Sequence, residues 1–340
     1  MRIAGSLRIV EGEADFTAQE TEQIAEAIMS ESVLETFRAR HEADFAHSIP
    51  SVGRFRVNAY FQRSSVALAI RRVRSAPASA KELGLPPVVS QLAEEMRGLV
   101  LVTGPTGSGK TTTLAAMIDH INRLRSCHIV TIEDPVEVLH RDVLAAIDQR
   151  EVGFDTDSFS SAMRVILRQD PDVILVGEMR DQETVAAALG AAETGHLVFS
   201  TLHTINSTET INRIVDFFPP HQQSQIRLSL AGSLRGIVCQ RLIPTVDENS
   251  RVPVLEVLVI NGRIQQAIID PLLTGDIESI VADGAYYGMV TFDQSLAALL
   301  ATGRISLAEA MATASNPHDL KVLLERQGVL QTGSFAARLG

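Results

Sequence analysis

The residues best suited to chemistry lie in the stretch TGPTGSGKTTT, from Thr103 to Thr113. Within it, residues 104–111 match G-x-x-x-x-G-K-[ST], the pattern of a phosphate-binding P-loop. Glycines let the backbone form a nest of N–H groups around phosphate oxygens. The following helix points its positive end at the same anion. The pattern therefore predicts a site for a nucleotide phosphate chain.

Within this loop, we expect Lys110 to reach the β and γ phosphates of ATP and Thr111 to bind Mg²⁺. A chance glycine-rich loop is the alternative interpretation, but the loop stands between an apolar strand pattern and a helical pattern, as a P-loop requires. The predicted nucleotide-binding residues of the loop are Gly104, Pro105, Thr106, Gly107, Ser108, Gly109, Lys110, Thr111 and Thr112.

A P-loop enzyme needs a further acid at the end of a neighbouring strand. The stretch DVILVGE, from Asp172 to Glu178, is an apolar strand pattern that ends in a carboxylate. Glu178 is the best candidate to polarise an attacking water, directly or through Mg²⁺. A carboxylate at a strand end is often only solvated, but the P-loop at this spacing favours the catalytic role.

Two more strand patterns run into polar residues, one into EDPVE at residues 133–137 and one into STLHT at residues 200–204. Ligands of an open parallel sheet bind beyond the carboxyl ends of its strands, so these segments should converge beside Lys110. We favour His203 as a sensor of the γ phosphate. His196 precedes its strand and belongs at the opposite end unless that strand is short, so a packing role and a functional role are both open.

The elements that position these residues follow from the apolar patterns. From about Leu85 onward, continuous apolar strand patterns alternate with helical ones, which indicates a parallel sheet covered on both faces. After about Gly262 the patterns become mostly helical. The predicted fold class is α/β, with a P-loop core, a small α+β N-terminal domain and a helical C-terminal region.

The first ~75 residues form a separate predicted unit. Thr17 and Glu20 have the spacing of a capping box, which predicts the start of a helix. The strand pattern GRFRVNAYFQR has one apolar face, with Phe55, Val57, Ala59 and Phe61, and one basic face. Three arginines lie on the polar faces of this strand and the next one: Arg54, Arg56 and Arg71. Such faces are usually solvated, but an arginine from another domain or subunit commonly completes a γ-phosphate site.

The predicted boundaries follow from these patterns and from a linker rich in proline and small residues. They are an N-terminal domain at 1–75, a linker at 76–87, the ATPase core at 88–261, a helical region at 262–330 and a tail at 331–340.

Composition excludes several classes of protein. The net charge of −11 argues against a nucleic-acid-binding protein. The two cysteines, Cys127 and Cys239, are too few for a cysteine zinc site or a disulfide framework. No apolar run has membrane-spanning length, and no signal-peptide pattern begins the chain, so we expect a cytoplasmic location.

Four long segments occur in order: GPTGSGKTTTLAAMID, TIEDPVEVLH, LRQDPDVILVGEMRD and ETGHLVFSTLHT. They resemble the Walker A, Asp-box, Walker B and His-box segments of secretion ATPases of the type II/type IV pilus superfamily. The resemblance runs from about Gly5 to Leu324 and is strongest to the PilT-type pilus retraction ATPases. It implies a PAS-like N-terminal domain, a RecA-like core and a homohexameric ring that turns an inner-membrane pilus platform protein, with the chain held peripherally at that machinery.

The same resemblance implies residue roles. Glu178 and Glu137 would be the catalytic acids, supported by Glu133 and Asp134, and both His196 and His203 would act in catalysis. The first domain's arginines would close on the phosphates. The predicted ligands of Mg²⁺ are Thr111, Glu178 and Asp134.

Other members of this superfamily are alternative interpretations. Assembly and type II secretion ATPases typically carry a tetracysteine insertion, which this chain lacks. An accessory retraction paralogue of the PilU kind stays open, because the segment Ala267–Leu273 reads AIIDPLL and lacks the arginine typical of retraction ATPases. A paralogous ATPase is a further candidate partner of this chain. A non-enzymatic ring subunit and a nucleic-acid translocase are disfavoured by the complete P-loop and by the negative charge.

Overall fold

The structure is a computed structural model that describes residues 2–3, 6–10, 12, 14–73, 76–247 and 250–330. The chain divides into two compact units, Met1–Ser75 and Ala76–Gly340. The tail predicted at residues 331–340 lies outside the described residues.

The first unit combines two helices with antiparallel strands. Its three-stranded sheet has the order β3-β4-β5, and its first two strands form a separate pair. The elements are β1 (Arg2–Ile3), β2 (Ser6–Leu7), α1 (Ala18–Ile28), α2 (Glu31–Arg40), β3 (Glu42–Ile49), β4 (Gly53–Gln62) and β5 (Ser65–Arg72).

Local sequence signals explain much of this unit. The Thr17 hydroxyl accepts a hydrogen bond from the backbone N–H of Glu20, and the Glu20 carboxylate accepts one from the backbone N–H of Thr17, so the predicted capping box is confirmed. Val57 and Ala59 are buried as the alternation on β4 predicts. Phe61 is 42% exposed, so its predicted burial is wrong. It lies near the end of β4, where its ring stacks on Phe37 at 5.2 Å.

The second unit is built on a seven-stranded sheet of order β12-β11-β6-β10-β9-β7-β8, parallel except where β12 pairs antiparallel with β11. The strands are β6 (Gly98–Thr103), β7 (His128–Glu133), β8 (Ala146–Glu151), β9 (Val173–Val176), β10 (Leu197–Leu202), β11 (Leu234–Pro244) and β12 (Arg251–Val259).

Eleven α-helices of the second unit lie in the described part of the chain. They are α3 (Pro87–Ala93), α4 (Lys110–Leu124), α5 (Phe159–Ile166), α6 (Gln182–Glu193), α7 (Ser207–Asp216), α8 (Pro220–Ser233), α9 (Gly262–Ile269), α10 (Ile277–Ala282), α11 (Phe292–Ala301), α12 (Leu307–Thr313) and α13 (Pro317–Arg326), of which α3 begins inside the predicted linker. None of the helices in the described ranges has the length and apolar composition that crossing a membrane demands.

Both faces of the sheet are buried, because the side chains of its central strands pack into two separate hydrophobic clusters, one on each face. On β6, Leu99 and Leu101 belong to the cluster with α5 and α6, whereas Val100 and Val102 belong to the cluster with α3 and α4. This alternation follows from the two-residue period of a strand. The predicted α/β class, with a parallel sheet and a helical C-terminal region, is confirmed.

The strand register brings the predicted site residues to one edge. Thr103, the last residue of β6, is level with Leu202 of β10, and Val176 of β9 is level with Ile132 of β7. The segments that follow these strands therefore leave the sheet at the same end, as expected for the ligand-binding edge of a parallel sheet.

A buried carboxylate on β12 gives a prediction about stability. Glu256 is 7% exposed and accepts hydrogen bonds from the Ser207 backbone N–H and hydroxyl, each at 2.7 Å. Burial raises the pKa of Glu256, the two bonds to Ser207 oppose this, and of the more distant charges Glu278 adds to the rise while Arg241 counters it. The folded protein then keeps this proton at pH values where the unfolded chain has lost it, so stability falls as pH rises through that window.

Glu256→Gln removes this titration and keeps an oxygen that can accept both bonds. As the pH rises from 5 to 8, we expect the stability of the variant to increase relative to that of the wild type. Thermal unfolding midpoints of both proteins at the two pH values measure this change. A difference in midpoint that is independent of pH would contradict it.

Candidate active site

The loop between β6 and α4 has the conformation of a phosphate-binding nest. Gly104, Gly107 and Gly109 have φ values of +142°, +80° and +91°, which side chains with a Cβ rarely adopt. A Cβ on Gly104 would lie 2.3 Å from the Gln240 carbonyl oxygen, so this position also excludes any side chain. Lys110 then begins α4, whose N-terminus faces the loop.

Lys110 is held inside the loop. Its Nζ donates to the carbonyl oxygens of Gly104 at 2.8 Å and Pro105 at 3.2 Å. Burial lowers the pKa of Lys110, and the negative charges of Glu178 and Glu137 oppose this shift. The predicted lysine and two predicted acids are therefore close enough to interact electrostatically.

Glu178 lies at the centre of the polar edge. The backbone N–H of Gly177 donates to Ile132 of β7 at 2.8 Å, and that of Met179 donates to Thr201 of β10 at 3.2 Å, so Glu178 is fixed between two strand ends. Its carboxylate lies 3.2 Å from His203 Nε2. The structure thus brings the predicted acid and the predicted phosphate sensor into direct contact.

Arg180 was not identified from the sequence, although it completes this cluster. Its guanidinium lies 2.9 Å from the Glu178 carboxylate and 3.6 Å from that of Asp134. The Glu178 side chain is 18% exposed, so its charge is balanced by a neighbour rather than by bulk water alone. An arginine two residues after the acid is too common a pattern to have marked this role.

The predicted acids of the Asp box occupy different environments. Glu133 is buried, and it accepts hydrogen bonds from the Thr131 hydroxyl at 2.7 Å and the Gln149 amide at 3.0 Å. Burial raises the pKa of Glu133, and these two bonds oppose the shift. Glu137 and Asp134 are exposed. Glu133 is therefore placed to hold β7 and β8 together, and Glu137 is the freer acid.

His196 lies at the other end of its strand. Its Nδ1 lies 3.0 Å from the Ala191 carbonyl oxygen, and its own carbonyl accepts from the Gly98 backbone N–H at the start of β6. The six-residue strand β10 separates it from His203, a span of about 20 Å. His196 and His203 therefore lie at opposite ends of β10, and the catalytic role of His196 stays a prediction beside its packing role.

The three arginines of the first unit share one sheet face. Arg56 on β4 is directly opposite Arg71 on β5, and Arg54 lies two residues from Arg56. Arg56 Nε lies 4.0 Å from the Asp44 carboxylate, and Arg54 is half-buried. Their predicted role in phosphate binding stays a prediction.

The residues of the loop fit a nucleotide and its magnesium ion. Ser108 Oγ is buried and has no hydrogen-bond partner among the described residues, so the loop has polar capacity left for a ligand. Thr111 follows Lys110 in the first turn of α4 and is half-buried. The described residues contain no cluster of three or more His, Cys, Asp or Glu side chains suited to a metal. Magnesium bound with a nucleotide commonly takes only one or two protein ligands, besides phosphates and water.

Space for a ligand lies beside the loop. A cavity of about 560 Å³ is lined on one side by loop residues 105–108 and on the other by β11, β12 and α12. Its charged lining residues are Arg241, Arg251 and Glu309. Its volume is within the range of small-molecule sites.

Comparison with known proteins places the chain in a family. Residues 23–329 match the family described as Type II/IV secretion system protein. The chain belongs to this family, and the resemblance to secretion ATPases seen in the four segments is confirmed.

Individual relatives agree with this assignment. The chain is 42% identical to a twitching motility protein of Neisseria gonorrhoeae over 94% of this chain and 85% of that protein. It is 39% identical to the type IV pilus ATPase PilU of Pseudomonas aeruginosa over 91% of this chain and 81% of that protein. It superposes with a TM-score of 0.87 on a crystal structure of the pilus retraction motor PilT with bound ADP. The two sequences are 44% identical, and the match covers 94% of this chain and 91% of that chain.

Proposed function

We propose that this chain is a motor ATPase that couples ATP hydrolysis to type IV pilus retraction. The observation that carries the proposal is the joint placement of Lys110, Glu178 and His203 at the loop edge of the sheet. The similarity to a twitching motility protein and to a retraction motor supports pilus retraction as the process that the hydrolysis drives. ATP is the proposed substrate, and Mg²⁺ is the proposed cofactor.

The geometry suggests how the residues divide the work. Lys110, which now bonds two loop carbonyls, can transfer its donors to phosphate oxygens when nucleotide binds. Glu178 can accept a proton from, or orient, the attacking water, while its contacts with His203 and Arg180 fix the carboxylate. Bound Mg²⁺, held by Thr111 with help from Glu178 or Asp134, would neutralise charge on the phosphates.

The assembly and the partners are part of the proposal. We expect a homohexamer at the cytoplasmic face of the inner membrane, acting on a pilus platform protein. Arg54, Arg56 and Arg71 are proposed to bind phosphate in the assembled ring. Glu137 is proposed as the second catalytic acid, because it is exposed and its charge acts on Lys110.

An accessory retraction ATPase is the second candidate, and the 39% identity to PilU favours keeping it. The two candidates differ in what the cell loses. Deletion of the gene for a principal retraction motor leaves cells that carry excess pili and do not move by twitching. Deletion of an accessory subunit leaves residual retraction driven by another ATPase.

The experiment therefore counts surface pili and measures twitching in a deletion strain complemented with wild type or with Glu178→Gln. We expect excess pili in the deletion strain, correction by the wild type and no correction by the variant. Cells without pili would contradict retraction and indicate an assembly motor. Full correction by Glu178→Gln would show that hydrolysis by this chain is not required.

A further inference from the structure

Gln240 lies beside the phosphate-binding loop at a position that no sequence pattern marks. β11 pairs in parallel with β6 as far as Cys239, which is level with Thr103. There β6 ends and the loop begins, but β11 continues to Pro244. Gln240 is therefore the first residue of β11 beyond the segment paired with β6, so on that side it lies next to the loop, while on its other side it pairs with Leu255 of β12.

The amide of Gln240 holds two parts of the loop region at once. The residue is 3% exposed. Its Nε2 donates to the Ser108 carbonyl oxygen at 2.7 Å, and its Oε1 accepts from the Thr113 hydroxyl at 2.7 Å. A carbonyl oxygen only accepts, so the bond to Ser108 fixes which end of the amide is the donor. A buried amide is costly unless paired, and here both ends are paired.

Two loop glycines close against the same residue. A Cβ on Gly104 would lie 2.3 Å from the Gln240 carbonyl oxygen, and a Cβ on Gly109 would lie 2.7 Å from Gln240 Nε2. The first and last glycines of the loop therefore both pack on one strand position. The curvature of the loop depends on this contact as well as on its own backbone angles.

The bond to Ser108 has a consequence for phosphate binding. In a trans peptide the C=O and the following N–H point in opposite directions. Because the Ser108 carbonyl oxygen faces the Gln240 amide, the N–H of Gly109 points away from that amide. That N–H is one of the donors that a P-loop presents to phosphate oxygens.

We propose that Gln240 is a positioning residue for nucleotide binding, which orients the Ser108–Gly109 peptide toward phosphate and ties the first turn of α4 to β11. The inference rests on the proposed function, because the phosphate belongs to the nucleotide of that site. Gln240 itself contacts loop and helix atoms, and it acts on the nucleotide through them.

The alternative is that the amide only contributes to folding. The two roles differ in a measurable way. A purely structural residue changes the thermal unfolding midpoint but leaves the affinity of the folded protein for nucleotide unchanged. A positioning residue lowers that affinity in protein that is still folded.

The test is equilibrium binding of mant-ADP, a fluorescent ADP, to full-length wild type and Gln240→Met, with unfolding midpoints on the same samples. Methionine has a similar length but no donor. We expect mant-ADP to bind about tenfold more weakly, the factor for one lost hydrogen bond. Gln222→Met, the same change at an exposed position on α8, is the matched control and should bind as wild type does.

A second pair of variants separates the two hydrogen bonds. Thr113→Val removes the bond to Oε1 and leaves the bond to Ser108, so we expect a smaller loss of affinity than in Gln240→Met. The double variant should bind no more weakly than Gln240→Met alone, since both changes act through one amide. An additive loss would show that Thr113 acts independently of Gln240, and it would contradict the inference that both bonds act through the one Gln240 amide.

Unchanged mant-ADP affinity in folded Gln240→Met, within twofold of the wild type, would overturn the inference. If the methionine variant does not fold, Gln240→Glu keeps the shape and the acceptor for Thr113 while losing the donor, and unchanged binding there would overturn the inference equally. Failure of the wild type to bind mant-ADP would instead overturn the proposed function, and this inference with it.

Discussion

Lys110→Ala is expected to lower kcat/KM for ATP by about a thousandfold or more, because it removes a buried positive charge aimed at the phosphates. This ammonium group lies inside the loop, 2.8 Å from the Gly104 carbonyl oxygen. Phosphate release at saturating and subsaturating ATP measures the loss.

The matched control for this variant is Lys81→Ala, which removes the same charge from an exposed position far from the loop in sequence. It should retain wild-type turnover. Thermal unfolding of Lys110→Ala checks that the variant is folded. Turnover within tenfold of the wild type in folded Lys110→Ala would contradict the assignment of the loop.

Glu178→Gln is expected to lower kcat by about 10²–10⁴-fold while nucleotide still binds, because it removes a general base but leaves the loop intact. Glutamine has nearly the same shape, and its oxygen can still contact His203 or Arg180. Binding of mant-ADP and steady-state phosphate release, measured on the same preparation, separate the two effects.

Glu183→Gln is the control for this second variant. Glu183 lies five residues along the chain on the exposed surface of α6, where it pairs with Arg164. It should hydrolyse ATP as the wild type does. If Glu178→Gln keeps turnover within threefold of the wild type, Glu178 is not the residue that activates water, and Glu137 becomes the leading candidate.

Sequence patterns predict the central sheet and its site edge well, because both depend on local signals. The apolar runs of β6, β9 and β10 are fully buried, so their composition marks them as strands. β8 escapes this reasoning, since its residues AIDQRE are mostly polar at the sheet edge. α3 is missed for another reason. The prolines at residues 86 and 87 favour a linker in the sequence, but proline is also tolerated at the start of a helix, and α3 begins there.

The contacts that complete the site could not be predicted from spacing. Gln240 reaches the loop across 132 residues of sequence, and Arg180 meets Asp134 only because β7 and β9 are neighbours in the sheet. His196 lies at the far end of β10 from His203, and its predicted catalytic role stays a prediction.

The central claim is that this chain hydrolyses ATP at the loop edge of its sheet. The most direct test is steady-state phosphate release by the purified wild-type protein with ATP and Mg²⁺, with the mass of the assembly determined on the same sample. We predict sustained turnover by an oligomer with the mass of six chains. An assembly that binds mant-ADP but releases no phosphate beyond the Glu178→Gln background would contradict the account.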